Sequence, residues 1–291
     1  GLVSSVLMML FLFAFVAPVI PANEEVEAAP TASTSTITMT TGHANAEVDL
    51  TVDDIDGTFA KSSSEQTAQF SVSSDNYYGY TLSIAGTDDT KQLTNEQFGE
   101  TLGVLDSITS AISESSFSSS STYNGKWGYM PSKYNSSTNS SFRPAPSTGS
   151  GAQTLDSTTS AVTRSYTIAV GARADHSKPI GTYTGTMILT VTAKPTNYTI
   201  NFSDNTGDAV DNLPSQRTGS VASASYVTLP STKPERYGYV FKSWCQGTVS
   251  NKGMNCSGTT YSAGGSFPIS QTIANNVTLY ATWYPALQYI D

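Results

Sequence analysis

The sequence predicts an all-β to α+β chain of two units, a β-sandwich followed by a smaller β-rich module, behind a hydrophobic N-terminal segment. Three observations carry this. Run after run alternates apolar and polar residues with period two, the pattern of strands with one buried face. The length, 291 residues, is room for about two domains. Finally, "TAKPTN" (192–197) interrupts the alternation, which starts afresh at Tyr198 and closes at Trp283.

The N-terminal segment comes first. Residues 1–22 carry no charge, and "VLMMLFLFAFVA" (Val6–Ala17) is an unbroken apolar run. It is short for a hydrocarbon core of about 30 Å and suits the centre of an export signal. Pro18 and Pro21 end the expected helix, and the small residues of "PVIPA" and "VEAAP" offer cleavage points. A start at Gly1, without Met or a basic stretch, reads as a fragment or a processed form. A second reading keeps residues 1–20 as a membrane anchor or a pilin-like helix. Glu24, Glu25 and Glu27, with no Lys or Arg beside them, agree with translocation of the rest of the chain.

Residues 23–33 read as a linker, and 34–195 as the sandwich. Val48, Leu50 and Val52 share a face, as do Ala68, Phe70 and Val72, and Tyr80, Leu82 and Ile84. "SYTIAVGA" and "GTYTGTMILTVTA" flank the polar turn "RADHSKPIGT" and are expected to pair antiparallel. Threonines take the outward face of the second of these. "FGETLGVLDSITSAISES" (98–115) fits a short helix or a strand followed by a loop. "SSFSSSSTYNG" and "KYNSSTNSSFRPAPSTGSGAQ" are too poor in apolar residues to be expected to order themselves, and they offer the first unit's contact surface. Between them lies "KWGYMPS". Trp127, Tyr129 and Tyr134 are the candidate glycan-contact residues, with Tyr77 and Tyr78 as further stacking platforms, although Trp127 also fits as a plug for one end of the sandwich.

The second unit spans 196–285, with 286–291 beginning a tail or a further segment. Tyr198, Ile200 and Phe202 point inward on its first strand, and Val277, Leu279, Ala281 and Trp283 on its last. In "LPSTKPERYGYVFKSWCQG" (229–247), Tyr239 and Phe241 alternate and Trp244 follows. So many large aromatics in so short a unit read as core, since a small domain needs their area to be stable.

These residues resemble the internalin-type B-repeat, also called the Listeria–Bacteroides repeat. The matching positions are Leu229, Pro230, Arg236, Gly238, Tyr239, Phe241, Trp244, Tyr261, Gly264, Gly265, Leu279, Tyr280, Ala281 and Trp283. The resemblance implies a small β-grasp-like module of bacterial surface proteins, often in tandem, that serves as spacer or adhesive segment and not as a catalyst. The B-repeat core it implies is Tyr198, Ile200, Phe202, Tyr239, Phe241, Trp244, Leu279 and Trp283. Cys245 and Cys256 depart from the family pattern. In an exported chain their default is one disulfide, a local staple across an inserted loop. The first unit is less specifically similar to wall-bound and pilus β-sandwich modules.

Charge and chemistry bound the function. Lys and Arg number 14 against 23 Asp and Glu, and the excess of acid lies before residue 196. No basic stripe exists to neutralise phosphates, so nucleic acid is not an expected partner. His43 and His176 read as turn residues, and no Gly-x-Ser-x-Gly elbow is present. Asp53, Asp54 and Asp56 do not fit a calcium loop around Gly57, which leaves only a looser surface site on Asp54 and Asp56. Asn135, Asn139 and Asn276 sit in Asn-x-Ser/Thr matches that a Ser/Thr-rich chain provides by chance. No enzyme activity, cofactor or metal is expected. The reading is an exported cell-surface protein, structural or adhesive, facing a protein or glycan on the cell envelope or another cell, and touching membrane only through residues 1–20 if these are kept. The alternatives are a carbohydrate-binding surface protein and a pilin-like filament subunit.

Overall fold

The computed structural model describes residues 35–53, 55–98, 102–132, 141–148, 151–221, 225–270 and 275–286, together with the backbone of 6–15. The linker 23–33, the proposed cleavage points, Asp54, Tyr134, Asn135 and Asn139 lie outside the described residues.

The first unit comprises β1 (Val6–Phe15), β2 (Ile37–His43), β3 (Asp49–Thr51), β4 (Thr58–Lys61), β5 (Ala68–Ser74), β6 (Tyr80–Gly86), β7 (Gln92–Asn95), β8 (Gly103–Ser107), β9 (Ile112–Ser113), helix α1 (Glu114–Ser119), β10 (Lys126–Pro131), β11 (Ser141–Phe142), β12 (Gln153–Ser157), β13 (Val162–Ala174) and β14 (Gly181–Ala193). One layer runs β12–β6–β14, and the other β10–β13–β5–β2. β7 and β8 carry the hydrogen bonding around from β14 to β10, so the sheet wraps over its own core. Alternation places that core. Phe70, Val72, Tyr80, Leu82, Ile84, Ile168, Val170, Tyr183 and Leu189 all face inward and are buried.

Three expectations need correction here. The apolar run expected to be helical is extended: β1 lies parallel to β14, from Leu7 opposite Gly181 to Phe15 opposite Leu189, and antiparallel to β3. A strand satisfies the backbone groups along that edge of β14, which a helix cannot do. Next, β13 and β14 follow one another in sequence but do not pair. β13 bonds β5, β4 and β10, whereas β14 bonds β6, β7 and β1, so the turn between them crosses from one layer to the other. Third, the Ser-rich stretch after Ile112 is ordered. Phe117 of α1 is fully buried against Phe59 and Phe142, with ring centroids 5.0 and 5.4 Å away, in a small second core with Ile108 and Ile112. Buried Arg173 ties this region down, donating to Asn124 Oδ1 at 2.8 Å, to the Asp56 carbonyl at 3.0 Å and to the Ser118 carbonyl. One phenylalanine with a place to go outweighs the polarity of its neighbours.

The second unit comprises β15 (Thr196–Ser203), β16 (Val210–Asp211), β17 (Arg217–Val221), β18 (Ser225–Thr228), β19 (Glu235–Arg236), β20 (Tyr239–Gln246), β21 (Val249–Ser250), β22 (Asn255–Cys256), β23 (Thr259–Tyr261), β24 (Ser266–Ile269) and β25 (Asn275–Pro285). Its main sheet is ordered β16–β19–β20–β25–β15–β17, and β15 and β25, the first and last strands, are parallel at its centre. Parallel neighbours need a crossover, and the chain between them supplies it. Among the described residues that crossover is strands and turns, and the antiparallel pair β18–β24 supplies Val227, Phe267 and Ile269 to the core. No helix among the described residues is long and apolar enough to cross a membrane.

Candidate functional site

The aromatic stretch of the second unit is a core. Ile200, Phe241, Trp244, Leu279 and Trp283 are buried together, with Tyr198, Phe202 and Tyr239 half-buried against them. Trp244 is fully enclosed, its ring 4.8 Å from Phe202 and 5.1 Å from Phe241, and Phe241 meets Trp283 edge-on at 6.0 Å. Tyr261, the cross-strand partner of Trp244, packs on Phe267 at 5.0 Å. These tilted and edge-to-face contacts add to what area alone provides. Tyr237, two residues from the core, is 95% exposed at the β19–β20 turn.

A buried cation explains the arginine of the pattern. Arg236 donates through Nε to Asp208 Oδ2 at 3.0 Å, through Nη2 to the same oxygen, and through Nη1 to the Lys252 carbonyl at 2.8 Å. Its guanidinium lies 3.7 Å above the Tyr239 ring. The Arg236 hydrogen bonds hold the Asp208 carboxyl below its ordinary range. Lys252 belongs to the inserted loop, which Cys245 and Cys256 close with a disulfide, their Cα atoms 5.9 Å apart. The loop folds back onto the core, where the Gly253 carbonyl accepts from the Trp283 backbone N–H at 3.0 Å. The disulfide therefore holds a lid over Trp283 and Arg236.

In the first unit, the candidate glycan contacts Trp127 and Tyr129 are 2% and 0% exposed, so neither offers a ring for a sugar to stack on. Trp127 donates through Nε1 to the Lys91 carbonyl at 3.0 Å, and Tyr129 through its hydroxyl to Gln153 Oε1 at 2.7 Å. Both sit on β10, which is paired on both edges near its start, and an interior strand turns its large side chains into the core. Burial pushes the Tyr129 hydroxyl up to about 12. Among the described residues the large exposed rings are elsewhere: Tyr77, Phe98, Tyr226, Tyr237 and Tyr284.

One polar cluster was not legible in the sequence. Tyr80 and Tyr166 meet hydroxyl to hydroxyl at 2.6 Å across the two layers, Tyr166 donates to Asp156 Oδ2 at 2.8 Å, and Arg164 donates to the same carboxylate at 2.8 Å. Burial followed by these hydrogen bonds raises Tyr166 far above the ordinary tyrosine value. Burial would raise Asp156 too, but the bonds from Arg164, Tyr166 and the Ser157 N–H overrule it and hold it below the usual range. The chain of bonds converges on Asp156 and joins β6, β12 and β13. It locks the sandwich.

The histidines stand apart. His43 ends β2, with Nδ1 3.2 Å from the Thr67 carbonyl, and His176 is exposed in the β13–β14 turn. Asp56 lies in a turn whose carbonyl is taken by Arg173. Among the described residues, no group of three or more His, Cys, Asp or Glu side chains converges. An open groove of about 520 Å³ is lined by Lys61, Ser62, Thr67, Gln69, Ser132 and Thr167 and their neighbours, and its one cation is paired with Glu114 at 2.7 Å. Hydroxyls and amides of this kind bind by hydrogen bonds.

No curated protein matches the chain. The second unit does match a family, and at the place its aromatic spacing indicates. Residues 198–282 fit the Listeria-Bacteroides repeat domain, a module of bacterial surface proteins.

Proposed function

We propose that the chain is an exported bacterial cell-surface protein whose two β units display or attach, and do not catalyse. The observation that carries this reading is the use of the aromatic residues. In the repeat domain Tyr239, Phe241, Trp244 and Trp283 hold one another in a core, so the richest cluster of recognition-type side chains is not a pocket. The remaining surface is acidic and hydroxyl-rich, which suits solubility outside the cell. The disulfide agrees with an oxidising compartment. The partner on this reading is a protein or glycan of an envelope or of another cell.

Protease treatment of intact cells tests it. Loss of the full chain from whole cells, with a cytoplasmic marker untouched, and retention of cells or purified envelope on the immobilised protein are the expected results. A chain protected until lysis, or one that binds neither, overturns the reading.

A second reading keeps residues 1–20 in the exported protein, and the pairing of Val6–Phe15 along β14 supports their retention, although as a strand within its own chain and not as the helix of a pilin-like subunit. N-terminal sequencing of the exported protein separates the two. A start at Asn23 or later removes β1 and makes residues 1–22 a leader, whereas a start before Val6 keeps the strand in the assembled protein.

A further inference from the structure

We propose that the junction between the two units is a built clamp, so that they act as one stiff arm instead of two bodies on a hinge. β14 ends at Ala193 and β15 begins at Thr196, which leaves Lys194 and Pro195 between them. The proline ring fixes its own φ, and it confines the residue before it to extended conformations. Both backbone polar groups of Lys194 are then held by the β5–β6 turn. Its N–H donates to the Gly79 carbonyl at 3.0 Å, and its carbonyl accepts from Asn76 Nδ2 at 2.9 Å.

The turn doing the holding is itself fixed. Asn76 is fully buried, although it sits in a turn. Its amide also donates to the Gly79 carbonyl at 2.6 Å, its Oδ1 accepts from the Tyr78 N–H at 3.2 Å, and its own carbonyl accepts from the Gly79 N–H at 2.9 Å. Gly79 has φ +81°, and a Cβ there would stand 2.5 Å from the Thr158 carbonyl oxygen, so the turn tolerates no other residue at that point. From the same turn Tyr78 reaches past the junction and donates its hydroxyl to the Asn197 carbonyl at 2.7 Å, the first grip on the second unit. Thr196, between the two grips, is fully buried.

Domains joined in one chain move relative to one another unless something prevents it, and flexible linkers are rich in Gly and Ser. Here the linker has no free backbone group at Lys194 and no free φ at Pro195, and a buried asparagine faces two carbonyls at once. The consequence is directional. Force or contact at the repeat domain is delivered to the sandwich through a fixed angle, and the exposed cross-strand pair Val240 and Tyr284 points one way.

Spin labels on cysteines introduced at the exposed positions Ser110 and Thr232 of the full chain, with the native disulfide left oxidised, read the angle as a distance distribution by pulsed electron resonance. The expected result is one narrow peak. Tyr78→Phe removes only a hydroxyl, and Asn76→Asp replaces the double donor by an acceptor facing two carbonyls. Together they are expected to widen the peak at least twofold, towards the width given by a Gly-Ser-Gly-Ser insertion after Pro195. Hydrogen exchange in β6 and β13 confirms that the sandwich remains folded, and Tyr78→Phe alone serves where the double variant does not fold. A wild-type distribution as broad as that of the insertion variant, or folded variants as narrow as wild type, overturns the clamp.

Discussion

Replacing Trp244 by alanine tests the repeat-domain core with the largest expected effect. The side chain is fully buried between Phe202 and Phe241, at 4.8 and 5.1 Å. Truncating a buried tryptophan costs about 3–5 kcal/mol, because transfer energy is lost and the surroundings collapse only partly. The matched domain spans residues 198–282. At about 0.05–0.15 kcal/mol per residue, a unit of that size has about 4–13 kcal/mol in total. The substitution therefore removes between about a quarter of that stability and all of it. Trp244→Phe keeps a ring in the same position and is expected to cost about 0.5–3 kcal/mol, the range of ordinary substitutions. Hydrogen exchange read by mass spectrometry on the full chain resolves the effect by region. In Trp244→Ala, peptides covering β20 and β25 are expected to lose protection by two or more orders of magnitude, as about 1.4 kcal/mol is tenfold, while those of β6 and β13 stay unchanged. Wild-type protection across β20 in that variant would refute the reasoning.

The same structure sets further outcomes. Replacing Cys245 and Cys256 together by alanine is expected to destabilise the repeat domain by about 3 kcal/mol, from the loop-closure entropy of a short loop, with the loss seen in denaturant midpoints and no change in the sandwich. Gly253→Ala is expected to destabilise it too: the position has φ +84°, and a Cβ would meet Trp283 Cδ1 at 2.6 Å, so thermal melting should fall without any change in disulfide content. In alkali, Tyr129 behaves as an acid raised by burial from 10.0 to about 12. Its contribution to stability is fully present below about pH 10 and is lost as pH rises towards about 12. A titration at 295 nm should show Tyr80, Tyr129 and Tyr166 ionising late and together with unfolding, where a smooth curve near 10 for all tyrosines would contradict their burial. In acid the sign reverses. Asp156 is held below the ordinary range by Arg164 and Tyr166, so the stability it gives is present above the unfolded carboxylate range and is lost as pH falls through its depressed value. Asp156→Asn should flatten that acid limb of the sandwich's stability curve.

Alternation in the sequence identifies the buried face of a strand but not its partner. That is why the inward sets of β5, β6, β13 and β14 were legible, while the expected pairing of the last two was not: a turn between strands can join neighbours in one layer or cross to the other. The repeat domain was legible to single residues, since its core consists of aromatics at strand spacing and few other residues in so short a unit can supply the area. Trp127 and Tyr129 share that spacing, and their burial follows from the same logic, yet the Ser-rich flanks suggested an exposed loop. The signal against exposure was Phe117, a single large apolar residue inside a serine run. The clamp was hidden for another reason. Asn76 sits in "DNYYG", an ordinary turn sequence, and becomes informative only when the fold brings Lys194 beside it.

In the second unit the rings face one another. With Trp127 replaced by phenylalanine, Trp244 and Trp283 are the remaining tryptophans of a chain that has 3. The native variant is expected to emit in the blue and to resist acrylamide quenching until it unfolds cooperatively. Emission near that of free tryptophan, quenched freely in the folded protein, would mean that these rings line an open cleft.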